Sequence, residues 1–222
     1  MPQSLAFDMY GTLVDPLGVE RRLQRHVGAE AGAVARRWRE TQLRYAALLT
    51  AMERYQDFTW VTERALEHAL DGAAADPGPE ARAELLAAYD ELEAFPDTGP
   101  GLERLRAAGH TAIVFSNGTG AMIERVLAAA GIADHFGDVV SVDEVGTYKP
   151  SPRVYEHAAA RLRGPIGDVW LVSANPFDVI GAASAGMRTA WVERAPTPFD
   201  PLGPRPDVVV RELTELAAAL QS

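Results

Sequence analysis

Six short apolar runs punctuate the chain, at Leu5–Phe7, Ala112–Phe115, Val139–Val142, Val169–Val172, Thr189–Val192 and Val208–Val210. Each is nearly continuous in hydrophobicity, the pattern of parallel strands covered on both faces. From Leu102 onward the runs alternate with stretches of helical character at Leu102–Ala108, Gly120–Ala130, Ser151–Leu162, Val179–Ala185 and Arg211–Leu220. Strand and helix in regular alternation predict an α/β fold, a doubly wound, Rossmann-like parallel sheet. Residues 16–94 break this rhythm. They hold no strand pattern, and Leu23 and Val27, then Trp38, Gln42, Tyr45 and Leu49, recur at helical spacing. The expected organisation is therefore an α/β core formed by residues 1–15 and 95–222, with a helical insertion over 16–94. The turn-rich "FPDTGPG" at 95–101 marks the return, and the Pro-rich "APTPFDPLGPRPD" at 195–207 reads as a surface loop of the core.

Composition narrows the function classes. The 222 residues are 47% hydrophobic and 23% charged, enough for one substantial core plus a smaller unit. A net charge of -10 argues against nucleic acid and acidic membrane as partners, since both require clustered Lys and Arg. With no cysteine, neither disulfides nor thiolate metal sites are available. The start, "MPQSLAFDMY", lacks the pattern of a secretory signal, and no apolar run approaches a membrane span, so a cytoplasmic protein is expected. His26, His68, His110, His135 and His157 show no metal-ligand spacing.

In sheets of this kind the active site lies at the carboxyl ends of the strands. The first run is followed by Asp8, Tyr10 and Thr12, and the second by Ser116, Asn117, Gly118 and Thr119 opening a helix. The third leads to "EVGTYKP" with Lys149, and the fourth to "SANPFD" with Ser173, Asn175 and Asp178. Polar and charged groups from distant segments thus accumulate at one edge of an apolar sheet.

Those residues carry a resemblance. "FDMYGTLVD", "WRETQLRY", "FSNGT", "YKPSPRVY" and "SANPFD" follow, in order, the motifs of the haloacid dehalogenase superfamily, and within it the chain looks most like the L-2-haloacid dehalogenases. The resemblance spans the whole chain and implies a helical cap inserted after the first strand. Phosphatases of the superfamily open with Asp-x-Asp and carry an acidic fourth motif that holds magnesium. Here Tyr10 replaces the second aspartate and Ala174 stands where the fourth motif would begin its acids. Magnesium wants hard oxygen ligands, and a halide needs no proton to leave, so both departures suit a metal-independent dehalogenase without cofactors.

The resemblance also implies roles. Asp8 would attack C2 of a short (S)-2-haloacid, expel halide and form an aspartyl ester, with Thr12 hydrogen-bonding nearby. Arg39, from the cap, would face the substrate and receive the halide, although four arginines share its helical stretch. Ser116 and Asn117 would hold the substrate carboxylate, simple N-capping being the alternative. Lys149 would keep Asp8 ionised, and Tyr155 would belong to the binding site, with core packing as its alternative. Ser173, Asn175 and Asp178 would serve ester hydrolysis to the (R)-2-hydroxyacid, Asp178 as base or as orienting group. Tyr10, Leu43, Phe58 and Phe177 would wall the substrate's side chain, whereas Trp60 reads as ordinary cap packing. Relatives of this kind dimerise through cap helices, and Leu48, Leu49 and Met52 are compatible with a homodimer. Two other functions compete: a magnesium phosphatase using Asp8 and Asp178, and a noncatalytic binding protein on the same fold.

Overall fold

The computed structural model describes residues 1–221. Six parallel strands form one sheet in the order β3-β2-β1-β4-β5-β6. They are β1 (Ser4–Phe7), β2 (Thr111–Ser116), β3 (Val139–Ser141), β4 (Val169–Ser173), β5 (Arg188–Val192) and β6 (Val208–Val210). Every expected strand is present; Val142 alone moves out of β3, into a 3-10 turn capped by Ser141. Leu5, Ala6 and Phe7 of β1 and Val169, Leu171 and Val172 of β4 are fully buried, which is why these strands read as unbroken apolar runs.

Helices α1 (Glu20–Val27), α2 (Ala31–Ala51), α3 (Phe58–Asp71) and α4 (Gly78–Ala88) lie between β1 and β2 in the chain. The rest are α5 (Thr98–Ala107), α6 (Gly120–Ala129), α7 (Pro152–Arg161), α8 (Pro176–Ala185) and α9 (Leu213–Ala219). Two begin earlier than periodicity suggests, α5 at Thr98 and α8 at Pro176. Their first turns contain Pro100 and Pro176, and a helix tolerates proline there because first-turn N–H groups have no intrahelical acceptor. No helix of the described residues is long and apolar enough to cross a membrane.

Helices α2 and α3 pack on each other around Trp38, which is fully buried and donates its indole N–H to Thr62 O at 2.9 Å. Gln42 is buried on the same face, donating to Thr62 Oγ1 at 3.0 Å and accepting from the Tyr89 hydroxyl at 2.7 Å. Those bonds make a polar side chain acceptable inside an otherwise apolar seam. Trp60 departs from the expected packing: it is 39% exposed, beside Leu48 at 49% and Met52 at 55%.

The chain leaves and re-enters the sheet at one place. Val14 bridges Tyr10 on one side and Ala94 on the other, Asp15 N donates to Glu93 O at 3.0 Å, and Phe95 N donates to Leu13 O at 3.0 Å. Sheet order reverses between β1 and β4, so a crevice opens beyond the carboxyl ends of those two strands. The Pro-rich loop stays on the surface, held by an edge-on contact of Phe199 with Trp191 at 5.0 Å between ring centroids.

Candidate active site

Asp8 is the first residue after β1, its N–H donating to Val172 O of β4 at 3.0 Å. The chain then turns at once through Gly11, whose φ of +86° is open to glycine at little cost. This turn brings Thr12 back over the carboxylate it follows. Asp8 is 6% exposed, and its two oxygens are treated unequally. Oδ2 accepts from Asn175 Nδ2 at 2.7 Å, Thr12 Oγ1 at 2.9 Å and Ser173 Oγ at 3.3 Å. Among the described residues, Oδ1 accepts only from Lys149 Nζ, at 3.1 Å.

Lys149 is 2% exposed, and its ammonium uses all three donors: Asp8 Oδ1, Asp178 Oδ2 at 2.9 Å and Phe115 O at 2.9 Å. It also lies 4.1 Å from the Phe115 ring centroid. Asp178 sits in the first turn of α8 with its side chain turned fully inward; its second oxygen accepts from the Tyr155 hydroxyl at 2.8 Å. Burial raises the Asp178 carboxyl above the usual range, opposed by the Lys149 ammonium beside it and reinforced by the Asp8 charge. Tyr155 is pushed well up by its own burial and by Asp178. Its hydroxyl is committed to Asp178 and its ring is fully buried, so the structure brings Tyr155 to the Asp178 side of the Asp8–Lys149–Asp178 cluster.

The second motif is tied to the same lysine. Asn117 Oδ1 accepts the Lys149 backbone N–H at 3.1 Å, and Ser116 Oγ accepts from Gly118 N at 3.1 Å. Neither caps α6; that position belongs to Thr119, which accepts from Met122 N at 3.2 Å.

From the insertion comes Arg39. Arg36, Arg37 and Arg44 of α2 are exposed, whereas Arg39 is half-buried and donates to Tyr10 O at 3.1 Å. Among the described residues it has no carboxylate partner within ion-pair distance. Asn175 Nδ2 reaches that same Tyr10 carbonyl at 3.1 Å, so Arg39 and the nucleophile turn are joined through one backbone group. Arg39, Leu43, Gly11, Phe95 and Asn175 line a cleft of about 310 Å³. Tyr10 and Phe58 do not line this cleft; they are buried against each other, with ring centroids 5.9 Å apart. The Tyr10 hydroxyl is buried with no hydrogen-bond partner among the described residues, and burial pushes it up. Phe177 is half-buried and does not line the cleft, so the structure does not bring it into the wall expected of it.

Some groups at this site lie outside the motifs. Tyr55 donates to Asp143 Oδ1, the Tyr148 hydroxyl donates to Gln56 O at 2.6 Å, and Tyr148 N donates to Thr50 Oγ1 at 3.2 Å. The end of α2 and the loop between α2 and α3 thereby grip the segment that ends in Lys149.

Comparison with known proteins identifies the family. A model of haloacid dehalogenase-like hydrolases matches residues 3–186. The chain belongs to that family. The (S)-2-haloacid dehalogenase of Pseudomonas putida is 34% identical over 215 residues, covering 97% of this chain and 95% of that protein. (S)-2-haloacid dehalogenase 4A of Burkholderia cepacia is 35% identical over 196 residues, covering 88% and 85%. The L-2-haloacid dehalogenase of Xanthobacter autotrophicus, solved with chloropropionic acid covalently bound, superposes with a TM-score of 0.94 at 30% identity, over 100% of this chain and 99% of that one.

Within the haloacid dehalogenase-like hydrolases, a magnesium ion is the group to test against these residues. The donor set does not fit it. The Lys149 ammonium lies between Asp8 and Asp178, and Tyr155 holds the remaining oxygen of Asp178. Tyr10 and Ala174 supply no carboxylate where the phosphatase pattern would. No group of three His, Asp or Glu side chains converges among the described residues.

Proposed function

We propose that the protein hydrolyses the carbon–halogen bond of short (S)-2-haloalkanoic acids, releasing halide and the (R)-2-hydroxyacid through an ester on Asp8. The observation that carries this reading is the unequal pair of Asp8 oxygens. Oδ1, with a single ammonium partner, keeps lone pairs for attack. It displaces halide at C2 in line, the carbon–halogen electrons leave with the halide, and C2 inverts. Oδ2 then becomes the ester carbonyl oxygen, already facing three donors. When water adds to the Asp8 carbonyl carbon, negative charge collects on that oxygen, where preorganised donors are most effective. Collapse expels the hydroxyacid oxygen, which takes one proton of the added water; the other passes to solvent, and the Asp8 carboxylate is restored. The product hydroxyl is the former Oδ1, so the centre inverts only once.

Charge balance supports a monoanionic substrate. Asp8 and Asp178 share the Lys149 ammonium, while Arg39 donates to the Tyr10 carbonyl and has no carboxylate partner among the described residues, which leaves one cation for one negative charge on the substrate. Arg39, half-buried beside an apolar cleft, is suited to the departing halide, because low dielectric strengthens its field. We assign the substrate carboxylate to the Ser116–Asn117 segment and the N-terminus of α6. Asp178, with both oxygens occupied, serves as the orienting group for Lys149. Leu43, on the same face of α2 as Arg39, borders the substrate's alkyl end.

One assay tests the reading. Purified protein in EDTA is expected to release chloride from (S)-2-chloropropionate and none from the (R) enantiomer. It is expected to leave p-nitrophenyl phosphate intact with magnesium present. Phosphate release, or silence toward both haloacids, would overturn it.

We further infer that the protein is a homodimer joined through the insertion. Exposed Leu48, Met52 and Trp60 border an apolar surface groove of about 430 Å³ between α2 and α3, rimmed by Arg64, Glu67 and Asp71. Contiguous exposed apolar surface with a charged rim is what protein interfaces use. Leu48→Glu is expected to convert a dimer to a monomer in light scattering after size exclusion, with turnover per chain retained. A wild-type monomer at micromolar concentration would refute the assignment.

A further inference from the structure

Arg194 belongs to none of the motifs, yet its buried charge sits one step from the reacting carboxylate. It follows β5 by two residues, and its side chain is 16% exposed. One arm of the guanidinium pairs with Asp97 Oδ1 at 2.6 Å. The other donates to the backbone carbonyl of Thr12 at 2.6 Å, and the group lies 4.3 Å from the Phe95 ring centroid. Asp97 is fixed in turn, its second oxygen accepting Leu213 N at 2.7 Å. A single side chain therefore joins the turn after β1 to the segment by which the chain returns from the insertion.

What the guanidinium holds is chemically specific. The Thr12 hydroxyl donates to Asp8 Oδ2 and accepts from Ala174 N at 2.8 Å. Fixing the carbonyl of Thr12 fixes that residue's backbone, and so the direction from which its hydroxyl reaches Asp8. The turn needs the help, since it passes through Gly11 at φ +86° and makes no regular helix or strand. A charged donor in a nearly dry site is well suited to the task. We propose that Arg194 is a positioning residue for the nucleophile, acting through Thr12; this rests on the reading of Asp8 as nucleophile.

The test is a double-mutant cycle with an exchange measurement beside it. Arg194→Met is expected to lower kcat by about 10- to 100-fold through misplacement of a reacting group, with KM changed less than about threefold. If Arg194 acts through Thr12, Thr12→Val with Arg194→Met is no slower than Thr12→Val alone, within about twofold. Multiplicative losses would overturn the proposal, as would an Arg194→Met variant with wild-type kcat. Independently of turnover, amide exchange at Ala174 should quicken in Arg194→Met. It should stay unchanged in Leu127→Ala, a core variant serving as the control for lost stability. Unchanged exchange at Ala174 in Arg194→Met would also refute the coupling. Since exchange does not depend on which group attacks, failure of the Asp8 reading would show separately. Should Arg194→Met not fold, Arg194→Lys, which keeps the charge and loses the two-armed geometry, carries the same cycle and the same outcomes.

Discussion

Asp8→Asn is expected to lose at least about 10⁴-fold in kcat/KM, because the attacking group itself is removed and cannot be replaced by positioning. The variant should still fold. An amide is isosteric with the carboxylate, and its oxygen can accept from Thr12, Ser173 and Asn175 as Oδ2 does. Its NH2 would face Lys149, an unfavourable contact that Asp178 and Phe115 O ease by retaining the ammonium. A circular-dichroism spectrum like wild type together with chloride release below detection is the expected pair of results. A single turnover of wild type in oxygen-18 water should place the label on Asp8, leaving the first product unlabelled. Label in the first product, or substantial activity in Asp8→Asn, would mean that water attacks the substrate directly.

Lys149→Met should show the largest loss of stability. The ammonium is the shared partner of two carboxylates that are 6% and 0% exposed, and the other oxygen of Asp178 accepts from the Tyr155 hydroxyl. Removing one member of a buried ion network typically costs about 3–5 kcal/mol, because the remaining charge is left buried and uncompensated. The pH dependence identifies the cause. Asp178 is already raised by burial, and Lys149 is the chief influence lowering it. Without the lysine its folded carboxyl rises further above the unfolded value. The folded state then binds more protons than the unfolded state across that window, so stability is present at low pH and lost as pH rises through the folded pKa. Urea unfolding at about pH 5 and about pH 8 should therefore show a deficit that widens at the higher pH. Activity should stay lost at both, since acid restores no cation beside Asp8. A deficit independent of pH would contradict the role given to Lys149.

How much of this was open to inspection in the chain depends on the range of the interaction. Parallel strands buried on both faces must be continuous apolar runs, so all six are visible as such, and Asp8, Ser116, Lys149, Ser173, Asn175 and Asp178 are visible as the polar groups that follow them. Set against the phosphatase pattern of the superfamily that the chain resembles, Tyr10 and Ala174 stand where acids would be, and this already argues against a metal. Helical spacing placed Trp38, Gln42 and Leu49 on a buried face for the same reason, since a period of 3.6 records which side of a helix meets the core.

Tertiary structure decided the rest. Among four arginines on α2, composition cannot show that Arg39 alone turns toward Tyr10 O. That the Tyr155 hydroxyl meets Asp178 is set by the packing of two helices, and Trp60, which reads as packing, stands exposed. Arg194 follows a strand end as the motif residues do, and only the meeting of residues 12, 97 and 194 shows what it holds. Local sequence records propensity and burial, because those depend on neighbours a few positions away. Which donor meets which acceptor across 141 positions, as with Lys149 and Asp8, is set by how whole layers pack, and no short pattern encodes it.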